Sequence, residues 1–156
     1  MGAREFFQSV REAARDAQRC HDQLAAMEES ALSVSSPAMG TRTAGGQPDG
    51  MERRVVALVS REDMLHRRIE ADYALIDAAF EVCYGHDLGE GLAALVPSWW
   101  VDALWMRYGD GWTWEAIGQA VGYSARRCVD VVNSALDVAD ANGMVATVQG
   151  VGMAEG

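Results

Sequence analysis

The sequence contains no lysine. All thirteen basic residues are arginine, against 23 acidic residues, which leaves a net charge of −10 over 156 residues. That balance excludes a polybasic clamp for nucleic acid or membrane. Cysteine is scarce: Cys20, Cys83 and Cys128 are odd in number, far apart and without a Cys-x-x-Cys pair. Neither a disulfide framework nor a zinc knuckle is written here, and the thiols are expected to be reduced and mostly buried. No run of about 18 apolar residues occurs, so no spanning helix and no membrane partner is expected. The opening Met1-Gly2-Ala3-Arg4-Glu5-Phe6-Phe7 carries an acid early and lacks a continuous apolar region, which argues against a secretory signal and for a cytoplasmic protein.

Catalytic signatures are missing as well. There is no Gly-x-Ser-x-Gly, Walker loop, dinucleotide fingerprint or His/Cys ligand set, so neither catalysis nor a cofactor is expected. His21, His66 and His86 stand beside charged residues without His-x-x-x-His or Glu-x-x-His spacing. They read as surface histidines, and no metal site is expected.

What is present is helical. Phe6, Val10, Ala13, Ala17, Cys20, Leu24, Met27 and Ala31 alternate spacings of four and three, a heptad seam on a long helix. The seam serves either packing on its own chain or an intermolecular coiled coil. Residues 33–50 hold two of the three prolines and four glycines and read as a linker. From Met51 to about Tyr84 there is no Gly or Pro, and Val55, Leu58, Leu65, Ile69, Tyr73, Ile76, Phe80 and Cys83 recur mainly at threes and fours. A second long helix folding back as an antiparallel hairpin is expected. Tyr84-Gly85-His86-Asp87 reads as a stop, with Asp87 capping a short helix and Glu90 completing a capping box. Pro97 then opens a helix over 98–108 that Gly109 closes.

Residues 110–129 follow the grammar helix, tight turn, helix. Thr113 is a natural N-cap, Glu115 lies in the positive first turn, and Ile117 and Val121 share a face. Gly118 has no side chain to hold the next helix away. Gly122 supplies the positive dihedral of the turn, Tyr123 is expected to tuck under it, and Ser124 caps a helix on which Val129, Val132 and Leu136 face inward. This is the spacing of a helix-turn-helix. Its core is assigned to Leu104, Trp114, Ile117, Gly118, Val121, Gly122, Tyr123 and Val129.

The outward face of the second helix offers Arg126, Arg127, Asp130 and Asn133, and Arg and Asn are the side chains that read guanine and adenine edges. Ser124 and the N–H groups beside it suit a phosphate. Five Trp fall at positions 99, 100, 105, 112 and 114. Trp100, Trp105 and Trp114 are expected in the core, with Trp99 or Trp112 left to a protein partner. Charge complicates DNA reading: from 97 to 156, Arg107, Arg126 and Arg127 face seven acids, a net of −4. A single copy should bind non-specifically only weakly.

The block Leu104-x-x-Arg107-Tyr108-x-x-Gly111-x-Thr113-Trp114-x-x-Ile117-x-x-x-Val121-Gly122-Tyr123-Ser124-x-x-x-x-Val129, ending in Ala135-Leu136, resembles the C-terminal helix-turn-helix of phage and prophage regulators of the autolysin-regulator (ArpU/RinA-like) type. That module is itself similar to the promoter-reading region four of sigma factors. The resemblance implies an all-helical, oligomeric, non-catalytic regulator of late phage genes, with double-stranded promoter or operator DNA as partner and RNA polymerase as a further one. It carries recognition roles onto Ser124, Arg126, Arg127, Asp130 and Asn133. The sequence departs from the pattern in Gly118, where such modules usually have Ala, and in Asp130 and Asp137 on a helix that is commonly basic.

The expected architecture is all-α: a helical hairpin over 1–84 that associates chains, a helix-turn-helix domain over 85–142 and a flexible tail over 143–156. The alternative function is a non-catalytic adaptor, polymerase-contacting or terminase-associated, that keeps the helix-turn-helix for protein contact.

Overall fold

A computed structural model describes residues 1–34 and 48–146. Within them the fold is all-α: α1 (Ala3–Val34), α2 (Pro48–Tyr84), a short 3-10 helix (Gly91–Ala94), α3 (Ser98–Tyr108), α4 (Trp114–Val121) and α5 (Ala125–Ala141). Most of the expected linker, residues 35–47, lies outside the described residues. So do residues 147–156 of the expected tail.

Two compact units divide the chain, one made of Met1–Arg15 with Asp72–Gly156, the other of Asp16–Ala71. The sequence-based boundary at 84/85 is therefore displaced. The reason is the apolar content of the helix ends: Ala3, Phe6, Phe7 and Val10 of α1 and Ala79, Val82 and Cys83 of α2 are buried in one cluster with α3, α4 and α5. The heptad stripe on α1 thus serves two cores in succession. Its next stretch buries Cys20 with Leu65 and Ile69, with Leu24 and Met27 packed at the edge. Arg61 donates to Gln23 at 2.9 Å and Arg68 pairs with Asp16, an antiparallel register.

In the first unit α3, α4 and α5 form the trihelical body. Val101, Ala103 and Leu104 of α3, Ile117 of α4 and Cys128, Val132, Ala135, Leu136 and Ala139 of α5 fill its centre. The α5 stripe runs 128, 132, 135, 139, which places Val129 at its edge, half-buried rather than central. Of the expected flexible tail, residues 143–146 are described, and among them Val145 is buried in the same cluster with Met144 packed against it.

The segment after α2 departs from the expected capping box. Residues 85–90 are turn, and the 3-10 helix begins at Gly91 with Glu90 at its N-cap position and no side-chain capping bond. Gly85, Gly89 and Gly91 adopt positive φ and Leu88 joins them at 48°, so the backbone turns too tightly for Asp87 to open a helix. A hydrogen bond fixes α3 instead: the Tyr84 hydroxyl donates to Asp102 Oδ1 at 2.6 Å.

Truncating Phe7 to Ala should destabilise the helix-turn-helix unit by about 3–5 kcal/mol, because a fully buried ring with Tyr108 at 5.9 Å is lost. Urea denaturation followed by tryptophan fluorescence checks this, and an unchanged midpoint would refute the shared core. Burial, reinforced by the bond to Asp102, pushes the Tyr84 phenol above its ordinary value. The folded state then keeps a proton that the unfolded chain releases, so this contribution is complete below about pH 10 and is lost as pH rises further. A Tyr84→Phe variant should show a shallower alkaline loss of stability in the same assay.

Candidate nucleic-acid interface

The turn between α4 and α5 is built from backbone bonds around two glycines. Gly122 sits at φ 83° as the C-cap of α4, and both Gly122 N–H and Tyr123 N–H donate to Gly118 O, at 2.8 and 3.0 Å. A carbonyl shared in this way closes the helix and turns the chain sharply. Gly118 is buried, and a Cβ placed on it would stand 2.5 Å from Tyr123 O. The absent side chain is what allows the incoming strand of backbone to cross so close.

Side chains cap both helices of the motif. Thr113 Oγ1 accepts from Ala116 N–H at 3.2 Å, and Ser124 Oγ accepts from Arg127 N–H at 3.1 Å. The Ser124 cap satisfies Arg127 N–H, while the earlier N–H groups of α5 have no acceptor within the helix and lie at the positive end of the helix dipole.

Leu104, Ile117 and Gly118 are buried, while Trp114 and Val121 are half-buried against the core. Tyr123 differs from expectation. Its backbone forms the turn, but its side chain is 49% exposed and stacks on Trp99, with centroids 4.2 Å apart and planes 8° apart. The sharp turn at Gly122 carries the ring outward, where Trp99 at the start of α3 offers a flat face. Trp100 and Trp105 pack at the core margin, and Trp112 is exposed. Trp114 carries the Arg107 guanidinium 4.7 Å above its ring, and Arg107 also donates to Trp112 O at 3.0 Å. Arg107 is thereby committed to the fold.

Arg126, Arg127, Asp130 and Asn133 are all exposed along α5. Arg126, Asp130 and Asn133 follow one another at i, i+4 and i+7, so they form a single ridge, with Arg127 on the adjacent flank. Among the described residues, neither Arg126 nor Arg127 forms an ion pair. The sequence offered no sign of a further cation at the far end of this ridge. Arg4, presented by the first turn of α1, pairs with Asp137 at 3.0 Å and donates to Asn133 O at 3.4 Å. Ala3 N–H donates to Asp140 Oδ1 at 2.7 Å. Two acidic groups that oppose DNA binding on sequence grounds are therefore engaged with the chain's own N-terminal turn.

The three cysteines are buried free thiols, and burial raises the Cys83 and Cys128 thiols above their ordinary values. Among the described residues no three His, Cys, Asp or Glu side chains converge as a metal site, and no helix is long and apolar enough to cross a membrane.

Replacing Gly118 with Ala should cost about 1–3 kcal/mol, since the methyl group meets backbone carbonyl rather than a yielding side chain. Thermal unfolding of the variant checks this, and wild-type stability would show that the crossing is looser than described. No protein-family model, curated protein or solved structure matches this chain.

Proposed function

We propose that the chain is a sequence-specific DNA-binding regulator of transcription, with α5 as the helix that enters a major groove. One observation carries the reading: a doubly capped helix-turn-helix presents Arg126 and Arg127 exposed and unpaired among the described residues at the leading end of α5. In this reading Ser124 and the first N–H groups of α5 hold a backbone phosphate. Arg126 reads a guanine edge, Asn133 an adenine edge and Asp130 a cytosine amino group, each good base contact worth about 1–3 kcal/mol of discrimination. Arg127, on the flank, meets phosphate. The resemblance to phage and prophage regulators extends the proposal to late phage genes, with RNA polymerase as the protein met at the promoter.

A second reading draws on the aromatic groups. The Trp99–Tyr123 stack and exposed Trp112 suit a protein partner on an acidic chain. This is the adaptor function, polymerase-contacting or terminase-associated.

The experiment is selection of bound fragments from a random DNA pool, followed by gel shift with the enriched sequence. Arg126→Ala is expected to weaken binding about 10- to 100-fold and relax the preference at one position, as loss of a base contact does. Arg127→Ala should weaken binding to all sequences alike and lower the salt slope by about one. Undiminished binding by the double variant would refute the assignment. No enrichment, together with no salt-sensitive binding at low ionic strength, would favour the adaptor.

A further inference from the structure

Arg11, Arg15 and Arg107 gather where α1 meets α3, away from the arginines of α5. The Phe7 ring packs on Tyr108 at 5.9 Å. Arg11 follows Phe7 after one turn of α1 and Arg15 after two, on the same ridge, while Arg107 immediately precedes Tyr108 on α3. All of these residues belong to the first compact unit. Among the described residues none of the three arginines forms an ion pair, and the Arg11 Nε is buried without a hydrogen-bond partner. Burial, then the charges of Arg107 and Arg15, lower the Arg11 pKa from its ordinary value, and of the groups acting on it only the Tyr108 phenol favours the cation.

The neighbouring acids do not compensate this charge. Glu12 is turned about 100° around α1 from Arg11. Asp16 is engaged by Arg68 and Arg19, and Asp102 accepts from Tyr84. The Asp110 carboxyl is raised by burial, with no cation acting on it. Glu115 is exposed and forms no ion pair with Arg107 among the described residues. Arg107 is nevertheless held in place, its guanidinium 4.7 Å over the Trp114 ring and one N–H on Trp112 O at 3.0 Å. A guanidinium carries five N–H donors in a planar fork that matches phosphate oxygens. Most of the donors of the trio therefore find no acceptor in the chain.

We propose that Arg11, Arg15 and Arg107 form a phosphate-binding site at the junction of α1 and α3. A phosphate there supplies the counter-charge that the fold withholds from Arg11. It belongs either to a DNA backbone, a source that rests on the reading proposed above, or to a free phosphate, which does not. The backbone is the favoured source. Arg107 anchors Trp112 and Trp114 at the start of α4, and the first helix of a helix-turn-helix is the one that crosses the backbone.

Nitrogen-15 NMR of the arginine Nε–H groups of the full chain, titrated with inorganic phosphate against chloride at constant ionic strength, tests the site. The Arg11 and Arg107 signals should shift and saturate, with half-saturation on the order of 1–10 mM, while that of Arg54, exposed in the other unit, stays in place. Arg11→Gln combined with Arg15→Gln should raise the phosphate needed to shift Arg107 about tenfold or more; Arg15→Gln alone, at an exposed position that leaves folding intact, should raise it about threefold. Arg53→Gln with Arg54→Gln removes the same charge from the other unit and should bind as the wild type does. Gel shift on a duplex enriched from the random pool then reads the source. A salt slope lowered by about two in the Arg11/Arg15 variant, with all sequences weakened alike, assigns a backbone phosphate, and an unchanged slope assigns a free one. If the wild type binds no duplex, the DNA reading fails while the phosphate titration still decides this site. Absence of a saturable Arg11 shift would overturn the proposal. So would an undiminished Arg107 response in the Arg11/Arg15 variant, or an equal loss in the Arg53/Arg54 variant.

Discussion

The close backbone crossing at Gly118 governs the rest of the helix-turn-helix. Gly118 O receives the N–H groups of both Gly122 and Tyr123, while its missing side chain admits Tyr123 O where a methyl would stand 2.5 Å away. Those contacts set the direction in which the chain leaves α4. Ser124 follows at once, and its hydroxyl on Arg127 N–H starts α5 at that angle. The exposure of Arg126 and Arg127 and the burial of Cys128 one position later are both consequences of where the helix begins. A shift of a single residue toward the N-terminus would rotate α5 by about 100° and bring Arg127 in place of Cys128 into the buried stripe.

This arrangement is braced from outside the motif. Phe6, Phe7 and Val10 of α1 lie in the same buried cluster as Leu104, Ile117 and Leu136, so the trihelical body is completed by residues from the far end of the chain. A body of three short helices has little interior of its own, and burying two additional aromatic rings adds several kcal/mol of hydrophobic stabilisation. Arg4 and Ala3 then fasten the first turn of α1 to Asp137 and Asp140. The exposed Arg4–Asp137 pair contributes little by itself; its effect is to fix which acids on α5 remain uncompensated.

Features set by local chemistry were legible in the sequence. The helix spans around 98–108 and 114–121, the Thr113 and Ser124 caps and the left-handed Gly122 each follow from residue type and near neighbours, and all are found in the structure. Features set by distant packing were not legible. The α1 heptad gives one uninterrupted period, yet period alone does not say that Phe6 and Cys20 enter different cores. Apolar side chains beside a turn favour burial, which on local grounds alone points Val129 and Tyr123 inward. The phase of α5 is set by Cys128, Val132, Ala135 and Ala139 together, and Tyr123 found the exposed face of Trp99 instead. Asp87 and Glu90 had the right spacing for a capping box, but four positive φ values between 85 and 91 preclude the helix they would cap. Pairing of Arg4 with Asp137 spans most of the chain and leaves no periodic trace.

The acidic character of the chain bears on the proposed DNA surface less than the net charge suggests. Screening at physiological salt confines interactions between exposed charges to about 8 Å. Asp137 lies eleven residues along α5 from Arg126, roughly 16 Å at the helical rise, and its charge is matched by Arg4. Asp130, one turn from Arg126, is the acid of α5 within that range. On α5 itself the leading end therefore carries two guanidinium groups and the positive pole of the helix dipole against one carboxylate. Such a site attracts phosphate only at short range. On the proposed reading, a net charge of −10 gives no long-range attraction to a duplex, and engagement would depend on contacts made after docking.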